Sequence, residues 1–515
     1  MREAGPPSAA ICYTNGMKTL NRPVSRRAFV TGGLFAAAAF PFIGYGRNVV
    51  GKATLALIGA GKQGRGLLHA FLGQPNLVVT AVCDCDRVRR EDRARVVNDY
   101  YAANPQLGVP GTACRAVADF RAVLADPSID MVCIATPDHW HAYMTVEAMK
   151  AGKDVYCEKP LTHTVEEAKA VMAAAAKYGR ILQTGAMQRS GIEFRTACMV
   201  VRNGGIGRVS LVDVNYGGPS RPHRDFENPA NAAAEGAPNP DVDFDMWCGG
   251  APLVRYSDCL APRGVHNFFP MFWRFDDYFG LGMCGDWGAH HLDIAQWGLG
   301  LDGSGPVKVV KSTLAPSRGP FDGGRRQRGM SFVCADGCVI RHNPYGGSAW
   351  GVVFYGTEGV VAVNRGRLAV WRGAGVAPDA ALQARLNEGT FDAMPRVAFW
   401  HAPREGEPPR PANDRSLLDA VNRATKAFGL KKAKVQLYKA NGHPSDFVSC
   451  VQARRQPCSS AEIGARASIL CNLCNLSYVH DAGFDWDPVR NVFANGTGDA
   501  AWLTKAYRKP WELSS

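Results

Sequence analysis

Ala53-Thr54-Leu55-Ala56-Leu57-Ile58, followed at once by Gly59-Ala60-Gly61-Lys62-Gln63-Gly64, is the stretch that decides the fold. A short unbroken apolar run suits a strand covered on both faces of a parallel sheet. The glycines that follow have three separate jobs. Gly59 permits a tight turn, Gly61 lets the backbone approach a pyrophosphate, and Gly64 lets the next helix pack close to the strand. The start of that helix offers amide donors and partial positive charge to phosphates.

Working outward, Leu77 to Cys83 reads as a second strand with Asp84 at its end, twenty residues past Gly64. An acid there can accept hydrogen bonds from adenosine ribose hydroxyls, and it repels a 2′-phosphate. NAD is therefore favoured, with NADP kept open by Arg87, Arg89 and Arg90 nearby. The plain alternative for Asp84 is a turn-forming or helix-capping residue. Asp130 to Ala135 reads as a further strand ending in Thr136-Pro137-Asp138-His139-Trp140-His141, and Asp154 to Cys157 as another, delivering Glu158-Lys159-Pro160. Thr164 with Glu167 forms a capping box for a helix to about Lys177, and Arg180 to Thr184 is the sixth strand. Alternating strands and helices of this kind predict an α/β Rossmann domain over 51–185, with ligand at the carboxyl ends of the strands.

At 515 residues the chain exceeds one hydrophobic core, so a second domain over 186–515 is expected. The formal charge is +13, of which the six basic groups against Glu3 in residues 1–50 supply five, leaving about +8. No stripe of Lys/Arg interleaved with aromatics tracks a nucleic-acid backbone, so no nucleic-acid partner is expected. The sixteen cysteines are dispersed through apolar segments and read as buried thiols. Cys471-x-x-Cys474 has zinc-like spacing but no second Cys/His pair beside it, and no metal is expected. Ser25-Arg26-Arg27-Ala28-Phe29-Val30, followed by an Ala-rich apolar stretch to Ile43, resembles a twin-arginine signal. A membrane-anchoring or frayed amphipathic helix is the alternative, and Met17 is a second candidate start. Export by that route moves folded proteins, so a periplasmic location, no membrane contact after signal removal and a cofactor loaded before export are expected.

The glycine turn, Asp84, Thr136-Pro137 with His141, Glu158-Lys159-Pro160, Gln188-Arg189 and Gly285-Asp286-Trp287-Gly288-Ala289-His290-His291-Leu292-Asp293 together resemble the Gfo/Idh/MocA oxidoreductase family. Trp486-Asp487-Pro488 through Arg508-Lys509-Pro510-Trp511 is similar to its exported members, while 310–440 has no clear anchor. The resemblance implies a C-terminal α/β domain with an open, mostly antiparallel sheet, a homodimer or homotetramer, and a site at the seam between the domains. It implies catalytic roles for Lys159, Asp286 and His290, cofactor contacts from Gly59, Gly61, Lys62, Gln63, Gly64, Asp84, Thr136, Pro137, His141, Glu158, Lys159 and Gln188, and a sugar, amino sugar or cyclitol substrate.

Spacing bears on the same residues. Asp286, His290, Asp293 and Trp297 recur at i, i+4, i+7 and i+11, which places them on one face of a helix. Alcohol oxidation needs a base for the hydroxyl proton while hydride leaves carbon, a task suited to histidine. His290 is assigned as base and Lys159 as its partner, with the two roles exchangeable; a solvated Lys159 and a satisfied core His290 are the plain alternatives. Asp293 either bonds a neighbouring helix or orients His290. Arg189, Trp273, Arg274 and His291, with Trp247 and His266, are candidates for the substrate pocket, and equally for core or interface. Apolar turns near 445–455 and 461–480 read as amphipathic helices that can pack back on the Rossmann domain, and 372–412 reads as surface loops or an arm over a neighbouring subunit. Besides net oxidation, two functions remain open: a redox-neutral NAD-dependent glycosidase or epimerase that retains its cofactor, and a dinucleotide-binding scaffold without catalysis.

Overall fold

The chain alternates strand and helix from its first described element. The structure, a computed structural model, describes residues 52–223, 238–265, 272–311, 329–342, 351–373 and 416–513, together with the short strands Ser317–Arg318 and Arg326–Gln327. The segment Ser25 to Ile43, His266 and residues 374–412 of the expected loops lie outside them.

Strands β1 (Ala53–Ile58), β2 (Leu77–Cys83), β3 (Arg115–Val117), β4 (Met131–Ile134), β5 (Asp154–Cys157) and β6 (Leu182–Thr184) form a parallel sheet in the order β3-β2-β1-β4-β5-β6. Every residue of β1, β4 and β5 is buried, as strands covered by helices on both faces must be. The crossovers run through α1 (Lys62–Leu72), α2 (Arg87–Ala103), α3 (Phe120–Ala125), α4 (Asp138–Lys150) and α5 (Val165–Tyr178). Thr164 and Glu167 cap α5 reciprocally: the Thr164 hydroxyl accepts the Glu167 amide (3.1 Å) and the Glu167 carboxylate accepts the Thr164 amide (3.0 Å). Strand order reverses between β1 and β4, which opens a crevice at their carboxyl ends. Gly59 stands there with φ +95°, and a Cβ on it would come within 2.6 Å of the Ala135 carbonyl. A Cβ on Gly64 would overlap the Gly59 carbonyl oxygen, so helix and turn can approach only without one.

The second domain contains α6 (Ile192–Arg202), β7 (Val209–Asn215), α7 (Phe244–Cys248), α8 (Gly282–Asp286), α9 (Gly288–Leu299), β8 (Lys308–Lys311), β9 (Met330–Val333), β10 (Val339–His342), β11 (Gly351–Gly356), β12 (Gly359–Asn364), β13 (Arg367–Arg372), α10 (Leu417–Ala427), α11 (His443–Ala453), α12 (Ala461–Val479), β14 (Phe484–Asp487) and β15 (Val492–Ala494). Its nine-stranded sheet runs β13-β12-β11-β7-β10-β9-β8-β14-β15, antiparallel throughout except for the β7–β10 pair. This is the mostly antiparallel α/β domain expected.

Two expectations change. Asp286 and His290 do not share one helix, because α8 ends at Asp286, Trp287 caps both, and α9 starts at Gly288. And α12 is not amphipathic: Ala465, Ile469, Leu470, Cys471, Leu473 and Cys474 are buried all round it, since it lies between α5 and α9 and meets protein on every side. The preceding helix, α11, returns to the Rossmann domain, where Phe447 packs edge-on against Phe71 and Tyr156. Every described cysteine is a free thiol, and among the described residues no cluster of His, Cys, Asp or Glu is arranged to hold a metal. No helix among them is long and apolar enough to cross a membrane.

Candidate active site

A cleft of about 410 Å³ lies at the reversal point, between the carboxyl ends of β1, β2 and β4 and the second domain. Gly59, Gly61, Lys62 and Gln63 form its floor. A Cβ on Gly61 would meet nothing nearer than Arg89 Nη1 at 3.9 Å, so there is room for a pyrophosphate above the turn. No side chain caps α1 and no acid occupies its first turn, which suits that end to an anion. Asp84 sits beside the turn: its Oδ2 accepts the Ala60 amide (2.7 Å) and its Oδ1 the Asp86 amide (2.8 Å). Asp86 caps α2 and pairs with Arg89 at 3.3 Å. On the evidence of this open cradle, the residues fit a dinucleotide.

Further along the cleft, β4 and β5 deliver Thr136, Pro137, Glu158 and Lys159. His141 lies between the carbonyls of Thr136 (2.9 Å) and Pro160 (2.7 Å) and ties the two strand ends together. Gln63 donates to Glu158 Oε1 at 2.8 Å, joining α1 to the same wall. Lys159 Nζ then reaches across the seam to Asp286 Oδ1 at 2.5 Å, with Arg274 Nε 3.5 Å from the same oxygen. Trp273, Trp287, His290 and Arg365 complete this end.

Burial would raise the Asp286 carboxyl, but Lys159 and Arg274 outweigh it and hold the group well below the ordinary carboxylate range. Burial, reinforced by Lys159 and Arg365, pushes His290 well below the usual imidazole value, so it is neutral near pH 7. Its Nδ1 is buried without a hydrogen-bond partner. Asp138, at the start of α4, is raised to about 7 by burial, against the opposing pull of Lys159 and Arg274.

Of the residues singled out from sequence, Gly59, Gly61, Lys62, Gln63, Asp84, Thr136, Pro137, His141, Glu158, Lys159, Trp273, Arg274, Asp286 and His290 line this one cleft, as does Trp247. Four stand elsewhere. Gly64 faces the turn behind it. Gln188 is buried outside the cleft wall, where the neighbouring Met187 takes its place. Arg189 is 2 % exposed and bonds Asp293 (2.7 Å) and Asp302 (2.7 Å) while lying over Trp297. That answers the question about Asp293: it holds a neighbouring segment and does not orient His290. His291 turns into the core and faces the Asn215 carbonyl at 3.0 Å, because adjacent helical residues diverge by about 100°.

Sequence reasoning missed Asp138, Met187, Trp287 and Arg365, and also a strap formed by residues 238–265, whose Val242, Met246, Leu260, Ala261 and Pro262 wall the cofactor end. Asp138 was visible in its motif as a first-turn acid. Arg365 had only a two-residue hairpin turn to announce it, and a hairpin read from sequence does not say where its tip points.

Residues 53–186 match an oxidoreductase family described by its NAD-binding Rossmann fold, and residues 227–349 match the C-terminal alpha/beta domain of the same family. The uncharacterized oxidoreductase YrbE of Bacillus subtilis is 29% identical over 199 residues, which is 39% of this chain and 54% of that protein. An inositol 2-dehydrogenase of Rhodococcus jostii is 33% identical over 131 residues, 25% of this chain and 35% of the relative. The chain thus spans about half or less of the length of these curated relatives. Among solved structures, a levoglucosan dehydrogenase in complex with NADH and levoglucosan aligns with 84% of this chain and 99% of its own at 20% identity, with a TM-score of 0.49.

Proposed function

We propose, from the premise that the chain carries both domains of the Gfo/Idh/MocA oxidoreductase family, that the cleft oxidises a hydroxyl-bearing carbon of a sugar, amino sugar or cyclitol with NAD. Gly59, Gly61, the first turn of α1 and Asp84 would hold the dinucleotide, with Thr136, Pro137 and Glu158 beside it. Bound NAD⁺ supplies a hydride acceptor. With it bound, the carbinol carbon would give up hydride and become a carbonyl carbon, and the hydroxyl proton would pass to the protein. His290, neutral and on the cleft wall, accepts that proton. Lys159, already donating to Asp286, keeps further N–H donors to orient the hydroxyl oxygen.

The observation that carries this reading is the 2.5 Å Lys159–Asp286 contact, which joins the end of a Rossmann strand to the second domain on the wall that also holds the glycine turn and His290. Purified protein given NAD⁺ and a panel of sugars and cyclitols should generate the absorbance of reduced nicotinamide. Lys159→Met and His290→Ala should each lower turnover by roughly 10²–10⁴ while NAD binding, read by calorimetry, stays within a few-fold. Undiminished turnover in either variant would remove that residue's role.

Export through the twin-arginine route belongs to the same proposal and is supported by Arg26-Arg27 with the apolar stretch behind them. A reporter fused behind residues 1–50 should reach the periplasm and lose that ability when both arginines become lysine. A reporter exported regardless of the change would sink the assignment. Light scattering of the purified protein tests the homodimer or homotetramer expected of it.

A further inference from the structure

Arg365 occupies the tip of the hairpin between β12 and β13, which closes through the two-residue turn Arg365-Gly366. The turn is held from two sides. Asn364 Oδ1 accepts the Arg365 amide (2.7 Å), and Glu193 Oε1, from the first turn of α6, accepts the Gly366 amide (3.1 Å). A fixed tip leaves the guanidinium lying over the face of Trp287, 4.7 Å from the ring centroid, on the wall of the cleft. Among the described residues Arg365 forms no ion pair: Asp286, Glu158 and Glu193 attract it only from beyond contact, and Asp286 is engaged by Lys159 and Arg274. An arginine held over a ring face by its Cζ keeps N–H donors available, and a guanidinium's paired N–H groups match the two oxygens of a carboxylate.

The surroundings carry the same sign. At this end of the cleft Lys159, Arg274 and Arg365 face Asp286, the carboxylate that Lys159 and Arg274 already engage. Glu158 and Asp138 are both pushed toward their protonated forms by burial, and Glu193, the carboxylate nearest the turn, is engaged by the Gly366 amide. His290, next to Arg365 on the wall and 4 % exposed, has its Nδ1 without a partner. An anionic substituent on the sugar would give Arg365 the partner that no carboxylate among the described residues supplies.

We propose that the substrate is a sugar acid, a hexuronate or a glycoside of one, whose carboxylate is received by Arg365 above Trp287 while the hydroxyl to be oxidised faces Lys159 and His290. A carboxylate is favoured over a phosphate because one planar guanidinium meets it bidentately, while a doubly charged phosphate calls for a nest of amides or several unengaged cations. This inference rests on the oxidoreductase reading for the hydroxyl end and stands on its own for the anion end.

The test measures binding and turnover separately on the full-length, NAD-loaded protein. Hexuronates of gluco, galacto and manno configuration, the matching neutral hexoses and the hexose 6-phosphates are titrated by calorimetry. At least one hexuronate should bind tenfold or more tightly than its neutral hexose. Arg365→Ala should bring that ratio near one by weakening the hexuronate, and Arg365→Lys should leave an intermediate ratio, since it keeps the charge and loses the fork. Arg365 is exposed at a turn, so both variants should melt with the wild type. Equal affinity for acid and hexose, a preference that survives Arg365→Ala, or tighter binding of the 6-phosphate would each overturn the proposal. Nicotinamide absorbance separates the two readings: Arg365-dependent binding without oxidation would refute the dehydrogenase and leave the acid subsite standing.

Discussion

Asp138 shows how much a single carboxyl can reveal about this cleft. It is 5 % exposed, and burial raises it from an ordinary value of 3.8 to about 7. The folded chain therefore holds this proton more tightly than the unfolded chain does. The resulting stability is fully present below about 3.8 and is lost as pH rises through about 7. Asp138→Asn removes the titration, so the variant should melt a few degrees above wild type at pH 8.5 and the gap should shrink at pH 5.5. A gap independent of pH in thermal scans would show that Asp138 ionises freely. At this scale the sequence was most legible where chemistry and position coincide, as at Lys159 and Asp286. It misled at Gln188, Arg189 and His291: His291 is one step along its helix from His290, and Gln188 and Arg189 follow Met187, the residue of that segment that lines the cleft.

At the scale of elements, α1 offers a matched pair of substitutions. A Cβ at Gly64 overlaps the Gly59 carbonyl, whereas one at Gly66 meets nothing within 4 Å. Gly66→Ala should stabilise the protein by roughly 0.5–1 kcal/mol through helix propensity. Gly64→Ala, on the same helix, should lower the melting temperature and weaken NAD binding tenfold or more, since the turn must move. Equal effects in denaturation and calorimetry would remove the packing role given to Gly64. The parallel strands were readable because unbroken apolar runs at regular spacing leave few alternatives, and β2 and β5 fall at the residues expected of them. Strand β3 was not readable: three residues, Arg115-Ala116-Val117, none of them buried, carry no periodicity. Nor was the break at Trp287, since periodic spacing continues across it.

The whole molecule adds what no local pattern contains, which is how distant segments close over the cleft. The strap at 238–265 is held to the Rossmann domain by Arg87–Asp241 at 2.7 Å and by Arg89, which donates to the carbonyls of Pro262 and Gly264. The first of these pairs is exposed and therefore open to screening. Dissociation of NADH, followed by stopped-flow fluorescence, should accelerate with added salt, and Arg87→Ala should speed it severalfold while flattening the salt dependence. A release rate indifferent to both would detach the strap from cofactor retention.

The strap has another anchor further along the chain. Arg508 bonds Asp245 (2.5 Å) and the Gly249 carbonyl (3.1 Å), Tyr507 donates to Glu167 (2.5 Å), and Trp511 packs edge-on against Trp140 at 5.0 Å. Arg508 follows Asp245 by 263 positions. On the ribosome, then, the wall of the nucleotide cleft is made long before the residues that fasten it. A nascent polypeptide can assemble its Rossmann sheet early, and the strap gains its Arg508 anchor only after that residue has emerged from the exit tunnel.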